Sequence, residues 1–311
     1  MASKTKNIKN TNTYKKIKSN YILKEIFDNL SEKKLLKIIK VNKNIQKCLN
    51  KGLNDFKMFY EKIEIELELL KEATYPNTFI NYQKKYENYF HIYFDNDMKK
   101  EVKKNFVNYS KEKVSKIKII IDSQIKSLSQ LFEKCINIKK INFTKFNRKN
   151  IIDMSSIFDG CINLEEINFN NNFITDKVTD MSRMFFDCSS LTKLDLSNFN
   201  TGNVINMEGM FEGCSSLKEL NLTNFNTENV TSMYRMFFNC SSLVKLNLNS
   251  FNTDKVSDMS WMFHECSSLK ELNIDNFNFR NVKYIGCMFP RCLRNEIEKK
   301  FDYFTIYAAF S

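Results

Sequence analysis

The chain has 311 residues and 36.9 kDa, with 42% hydrophobic and 14% aromatic residues, enough for one large or two ordinary folded domains. Only 6 Gly and 2 Pro exclude collagen-like, proline-rich and flexible-linker chains. The absence of an apolar run near ~18 residues excludes a transmembrane helix, and 2 His without a dense acidic cluster argue against metal and acid–base chemistry.

The net charge of +12 is uneven. Residues 1–50 hold 13 Lys/Arg and 3 Asp/Glu, whereas residues 113–311 hold 24 and 22. A nucleic-acid binder spreads its cations along a docking face; a basic tail reads as solvated or as a nuclear-import signal, and no nucleic-acid partner is expected. Residues 1–19 are basic and polar, predicting a disordered tail without the apolar stretch of a secretory signal.

Residues 20–112 are predicted to form a helical domain. Tyr21 to Leu49 carries apolar residues at helical spacing, broken at Asn29-Leu30-Ser31-Glu32, with Ser31 placed to cap a second helix. An xLxxEIFxxL helix followed by xxxLLxxxxVxKxxxxxL resembles an F-box over residues 21–49. The resemblance implies binding to a Skp-type adaptor, with Leu23, Ile26, Phe27, Leu30, Leu35, Leu36 and Val41 forming the bundle and adaptor face. A plain helical cap is the blander reading. Residues 51–112 read as further helices with Glu/Lys-rich faces, including the aromatic stretch Tyr82 to Phe94, and Tyr75-Pro76-Asn77 marks a turn.

From residue 113 onward the cysteines reveal a repeat. Cys135, Cys161, Cys188, Cys214, Cys240, Cys266 and Cys292 are spaced 26, 27, 26, 26, 26 and 26 residues apart, a periodicity typical of stacked architectures. One unit runs from Leu243 to Ser268. Leu246 and Leu248 alternate as in a strand with one buried face. Val256, Met259, Met262, Phe263 and Cys266 are spaced as on one side of a short helix. Phe251 is predicted to point inward at the turn, with Asn252 and Thr253 satisfying backbone groups near the helix start. Lys116 to Ile121 reads as a degenerate first strand, and an extra Asn near Asn170-Asn171-Asn172 accounts for the 27-residue step. The fold class predicted is α/β: a leucine-rich-repeat solenoid over 113–292, with a parallel sheet on one face and short helices on the other, preceded by the α-helical domain and closed by a cap at 293–311.

The Met and Cys columns read as core filler, with reduced thiols. Cys287 and Cys292 have the wrong spacing for a metal pair, and no metal or cofactor is expected. Outward strand positions read Lys140, Glu166, Lys193, Glu219, Lys245 and Glu271, alternating in sign, which predicts cross-strand pairing that sets register. Asn142, Asn168, Asp195, Asn221, Asn247 and Asn273 form a second polar column, able to bond unit to unit or to face a partner.

Units differ on the outer face of the predicted helices. Arg183, Phe186, Tyr234, Arg235, Phe238, Trp261 and His264 lie there, away from the inward column. Grouped aromatics and arginines are typical interface anchors, so these are the candidate partner-binding residues. A terminal segment covering them is the alternative.

The unit Leu191 to Ser216, with its pattern LxxLDLSxFxTxxVxxMxxMFxxCxS, resembles the repeat of BspA-like leucine-rich-repeat surface proteins over about residues 125–292. The resemblance implies a binding role. Combined with the N-terminal helices, it leads to a non-enzymatic protein-interaction protein, with an F-box-like substrate receptor as its narrower form, inside the cell in the cytoplasm or nucleus; cell-surface adhesion or host interaction of the BspA type is the alternative. The protein partner is unidentified. Enzyme chemistry finds no support, because His91, on a predicted helix, and His264, on the outer face, show no identifiable acid partner in sequence.

Overall fold

The computed structural model describes residues 61–72 and 77–299. From residue 62 onward these belong to one compact unit, Lys62–Ser311. The F-box-like residues Leu23, Ile26, Phe27, Leu30, Leu35, Leu36 and Val41, and the basic tail, lie outside the described residues.

The segment IEIELEL forms β1 (Ile63–Leu69), with Ile63, Ile65, Leu67 and Leu69 buried and the glutamates between them facing out. Period-two alternation is the requirement for a strand with one dry face. A 3-10 helix (Lys84–Tyr89) leads into β2 (Phe90–Phe94), followed by β3 (Glu101–Val102), β4 (Lys116–Ile121), β5 (Ile138–Phe146) and β6 (Glu166–Phe169). These strands form one mixed sheet in the order β3-β2-β4-β1-β5-β6, antiparallel everywhere except β5–β6. Further along, β7 (Lys245–Asn247) and β8 (Glu271–Asn273) pair in parallel. Buried Arg148 donates to the carbonyl oxygens of Ile121, Asp122, Ser123 and Ile125, tying the end of β4 to the first repeat.

Over the described residues, the chain does not form the predicted α/β solenoid with a helical segment before it. Residues 61–112, expected to be helical, hold β1, β2, β3 and one short 3-10 helix. Strand β4 is not a first repeat strand: it pairs antiparallel with β1 and β2, and it is β1 that flanks β5. The repeat strands are short, and regular ladders form only between β5 and β6 and between β7 and β8.

The second half of each unit contains no α-helix. Its backbone N–H groups point to the neighbouring unit instead of back along the same unit. Phe185 N donates to Met210 O at 2.9 Å, Phe211 N to Met236 O at 2.9 Å and Phe237 N to Met262 O at 2.9 Å. Local bonds span three residues, as from Met236 N to Met233 O at 3.1 Å and from Cys240 N to Phe237 O at 3.1 Å. The segment is therefore a pair of tight turns, and every second amide is free to bond sideways.

The 26-residue units do lie side by side. Parallel bridges link Asp153 to Asp180, Asp180 to Asn206, Asn206 to Ser232, Ser232 to Asp258 and Asp258 to Tyr284. Phe132, Phe158, Phe185, Phe211, Phe237, Phe263 and Phe289 stack one on the next, ring centres 5.5 to 6.2 Å apart. The Val, Met and Cys columns are buried with them. Thr175, Thr201, Thr227 and Thr253 are 1% exposed. Each hydroxyl donates to one backbone carbonyl of the next unit and accepts from an amide there; for Thr227 both partners are on Asn252, at 2.8 Å. Thr253 thus couples units and does not cap a helix, while Asn252 Oδ1 accepts from Asp254 N at 2.8 Å. At the far end α1 (Arg294–Ile297) brings Ile297 into the core beside buried Leu293. Among the described residues, no helix is long and apolar enough to cross a membrane.

Candidate functional site

Two left-handed positions recur in the turn pairs, the last of which, at Cys287, keeps only the first. The first holds Gln130, Ser156, Arg183, Gly209, Arg235, Trp261 and Cys287; the second holds Lys134, Gly160, Asp187, Gly213, Asn239 and Glu265. Positive φ suits Gly and Asn and is costly for bulky side chains. Arg183 at φ 52, Arg235 at φ 54 and Trp261 at φ 61 therefore stand in backbone that favours glycine. The conformation turns these side chains out along one face, where they meet the residues three positions on: Phe186, Phe238 and His264.

The face holds two connected groups. Arg183 lays its guanidinium 3.6 Å from the centre of the Phe186 ring, and its Nε donates to Asp159 Oδ2 at 2.9 Å. Arg235 sits among three rings, 4.8 Å from Phe238, 5.3 Å from Tyr234 and 5.5 Å from Trp261, while its Nη1 donates to Glu212 Oε1 at 3.2 Å. His264 stacks on Phe238 at 5.8 Å and meets Trp261 edge-on at 4.6 Å. All seven predicted residues are thus in one stripe. Arg183 is exposed, and Phe186, Tyr234, Arg235, Phe238, Trp261 and His264 are half-buried against one another. They project from turns, not from the helices expected, and cation–π contact fixes the guanidinium groups.

Sequence reasoning missed the carboxylates beneath the stripe. Asp159 and Glu212 are buried, yet each receives an arginine from the following unit. Their column, one position in 26, is the one that carries Phe186, Phe238 and His264, and that register was the available signal. Burial pushes the Glu212 carboxyl above its ordinary range, with Arg235 pulling it back. Asp187 is raised by burial and by Asp159, more than Arg183 lowers it.

Other predicted features have structural roles. Lys140 pairs with Glu166 at 2.9 Å, and Lys245 with Glu271. The side chains of Asp195, Asn221, Asn247 and Asn273 each accept from the backbone amide two residues on in their own unit, at 2.9 to 3.3 Å. The thiols of Cys161, Cys188, Cys214, Cys240 and Cys266 donate to phenylalanine carbonyls of the preceding unit at 3.0 to 3.2 Å. Burial raises all five pKa values, that of Cys266 to about 12. These are the opposite of reactive thiolates.

Both histidines have acid neighbours, contrary to the sequence reading; for His91 they come from distant segments, and for His264 it is the next residue. On β2, His91 Nδ1 lies 2.9 Å from Glu101 Oε1 and Nε2 lies 3.2 Å from Asp122 Oδ2, pinning β3 and the end of β4. His264 Nε2 lies 3.3 Å from Glu265. Among the described residues, no group of three or more His, Cys, Asp or Glu is placed to hold a metal ion.

A family model described as Mycoplasma protein of unknown function, DUF285, matches residues 126–220 and again residues 212–303. The matched span covers the cysteine-bearing repeats and the whole stripe, and it does not reach residues 21–49. No curated protein and no solved structure matches the chain.

Proposed function

We propose that this chain, which belongs to the DUF285 family of repeat proteins of unknown function, is a non-enzymatic protein-binding module whose contact surface is the stripe from Arg183 to His264. The observation that carries this reading is Trp261. A bulky ring is held at φ 61, where the equivalent residue two units earlier is Gly209. Backbone strain at a half-buried aromatic on the outer face points to a use for the ring outside the fold. Its surroundings fit that use: rigid Trp, Tyr and Phe with a fixed Arg are the residues that dominate binding energy at protein interfaces. The stacked core and the threonine ladder give the stripe a stiff base, which limits the entropy lost on binding. The same stripe would serve a substrate receptor or a surface adhesin.

The test is a random peptide display selection on the full chain, with every enriched sequence re-measured on Trp261→Gly. Glycine removes the ring and relaxes the backbone, and a thermal melt of the variant separates loss of folding from loss of binding. Binders weakened at least about 30-fold, the cost of losing a hot spot of ~2 kcal/mol, support the reading. A selection whose binders are indifferent to Trp261 removes it.

A further inference from the structure

The stripe has a charge pattern that selects among partners. Asp187 and Glu265 occupy the second left-handed column, at φ 50 and φ 60, with Gly213 and Asn239 between them. The column is continuous: Asp187 N donates to Glu212 O, Gly213 N to Phe238 O and Asn239 N to His264 O, at 2.7 to 2.9 Å. Three unit steps separate the two carboxylates, or about 14 Å at the usual strand spacing of ~4.8 Å. Both are exposed. The interval carries no charge of its own, and Phe238, Trp261 and His264 line one flank of it.

The two arginines of the stripe offset these groups only in part: Arg183 acts on Asp187 from a distance, and Glu265 has His264 Nε2 at 3.3 Å in place of a guanidinium. Each already serves a buried acid, Arg183 at Asp159 and Arg235 at Glu212. With those two buried acids matched, the exposed carboxylates of Asp187 and Glu265 set the charge of this surface.

We propose that the stripe binds an extended, basic polypeptide segment of a partner protein, with two Lys or Arg side chains about four residues apart seated at Asp187 and Glu265. At ~3.3 Å per residue an extended chain covers the 14 Å interval in about four residues. Apolar or aromatic residues between the cations pack on Phe238 and Trp261. Complementary charge steers the encounter and fixes register, and the rings supply the burial. The inference rests on the binding role proposed for the stripe.

The experiment reads composition as well as affinity. Peptides from the display selection on the full chain are sequenced, then titrated against wild type, Trp261→Gly, Asp187→Asn and Glu265→Gln. Asparagine is at home in left-handed backbone, so Asp187→Asn keeps the fold. The expected result is enrichment of Lys/Arg pairs about four residues apart, with affinity falling about fivefold for each neutralised carboxylate. Affinity is also expected to fall on raising salt from about 50 to about 500 mM. Neutral or acidic peptides that need Trp261, or basic ones indifferent to Asp187 and Glu265, overturn the inference and leave the stripe as a binding face. Peptides indifferent to Trp261, or no enrichment at all, overturn both.

Discussion

Arg235 reaches back across the unit boundary to donate from Nη1 to Glu212 Oε1 at 3.2 Å, and Glu212 is only 8% exposed. The pair therefore joins the stripe to the core. Arg235→Ala would leave a mostly buried carboxylate without its cation. The expected cost is about 1–2 kcal/mol, at the low end for buried pairs because the arginine itself is 33% exposed. The sign with pH follows. Burial already raises the Glu212 pKa, and Arg235 is the main force lowering it. Without Arg235 the folded value rises further above the unfolded value of about 4.3. The protonated form then stabilises the fold, so the penalty is full near neutral pH and shrinks as pH falls through the raised value. Urea midpoints at pH 7 and pH 5 measure this. A variant as stable as the parent at pH 7 rejects the coupling, and adding Glu212→Gln should restore most of the loss.

Trp261 offers a comparison in which strain and contact oppose each other. Ala and Gly both remove the ring and its contacts with Arg235, Phe238 and His264. Only Gly relaxes a backbone at φ 61. Trp261→Gly is expected to be more stable than Trp261→Ala by about 1 kcal/mol. The reverse change, Gly209→Ala at φ +57, places a Cβ 3.2 Å from Glu212 Oε2 and should cost a similar amount. Thermal melts of the three variants decide it; equal stability of the Trp261 pair would show that the position carries no strain.

The residues themselves explain why parts of this fold were legible and others were not. A column such as Cys188, Cys214 and Cys240 is visible because each unit meets the same neighbours, so identical side chains recur at 26-residue steps. The same reasoning placed Met236 inside, where it is 0% exposed. The turn pair was misread because Val256, Met259, Met262, Phe263 and Cys266 have spacing that fits a helix face equally well. The distinguishing signal lay at the positions between them. Gly160, Gly209, Gly213 and Asn239 occupy left-handed sites, which a helix would not repeat. In β1 the alternation of Ile and Leu with Glu was present in the sequence but was read as charged helix. The stripe was legible as a set of unlike residues on a common face. Asp159 and Glu212 were not, because an acid in sequence is expected in water until a partner such as Arg183 or Arg235 is placed beside it.

The threonine ladder predicts how strongly units are coupled. Thr227 Oγ1 donates to Asn252 O and accepts from Asn252 N, both at 2.8 Å, at a position 1% exposed. Thr227→Val keeps the shape and strands two buried backbone groups. The expected loss is about 2–4 kcal/mol. Thr227→Ser keeps the hydroxyl and should lose about 1 kcal/mol, the value of one buried methyl. Hydrogen exchange should show the Val variant losing protection first at the boundary between these two units. If Val and Ser destabilise equally, the hydroxyl contributes nothing and the ladder is only shape.

The buried thiols should make the protein sensitive to alkali. Cys161, Cys188, Cys214, Cys240 and Cys266 are 0 to 1% exposed, and burial raises every one of their pKa values. In the unfolded chain a thiol ionises near ~8.5. A group whose pKa is higher in the folded chain contributes stability that is intact below the unfolded value and lost as pH rises toward the folded one. For Cys266 that window runs from ~8.5 up to about 12. Each thiol inside its window costs about 1.4 kcal/mol per pH unit. The losses of the five thiols add, so stability should fall steeply once pH passes the ordinary thiol value. Unfolding in reducing buffer should therefore become steep between pH 9 and pH 10, as read by circular dichroism. Exposure of the thiols to a thiol reagent should rise in the same step. Replacing Cys188, Cys214 and Cys240 with Ala should cost stability at pH 7, where cavities dominate, yet move the alkaline midpoint upward. A triple variant that unfolds at the parent's alkaline midpoint would assign the transition to tyrosine or lysine ionisation and not to the cysteine column.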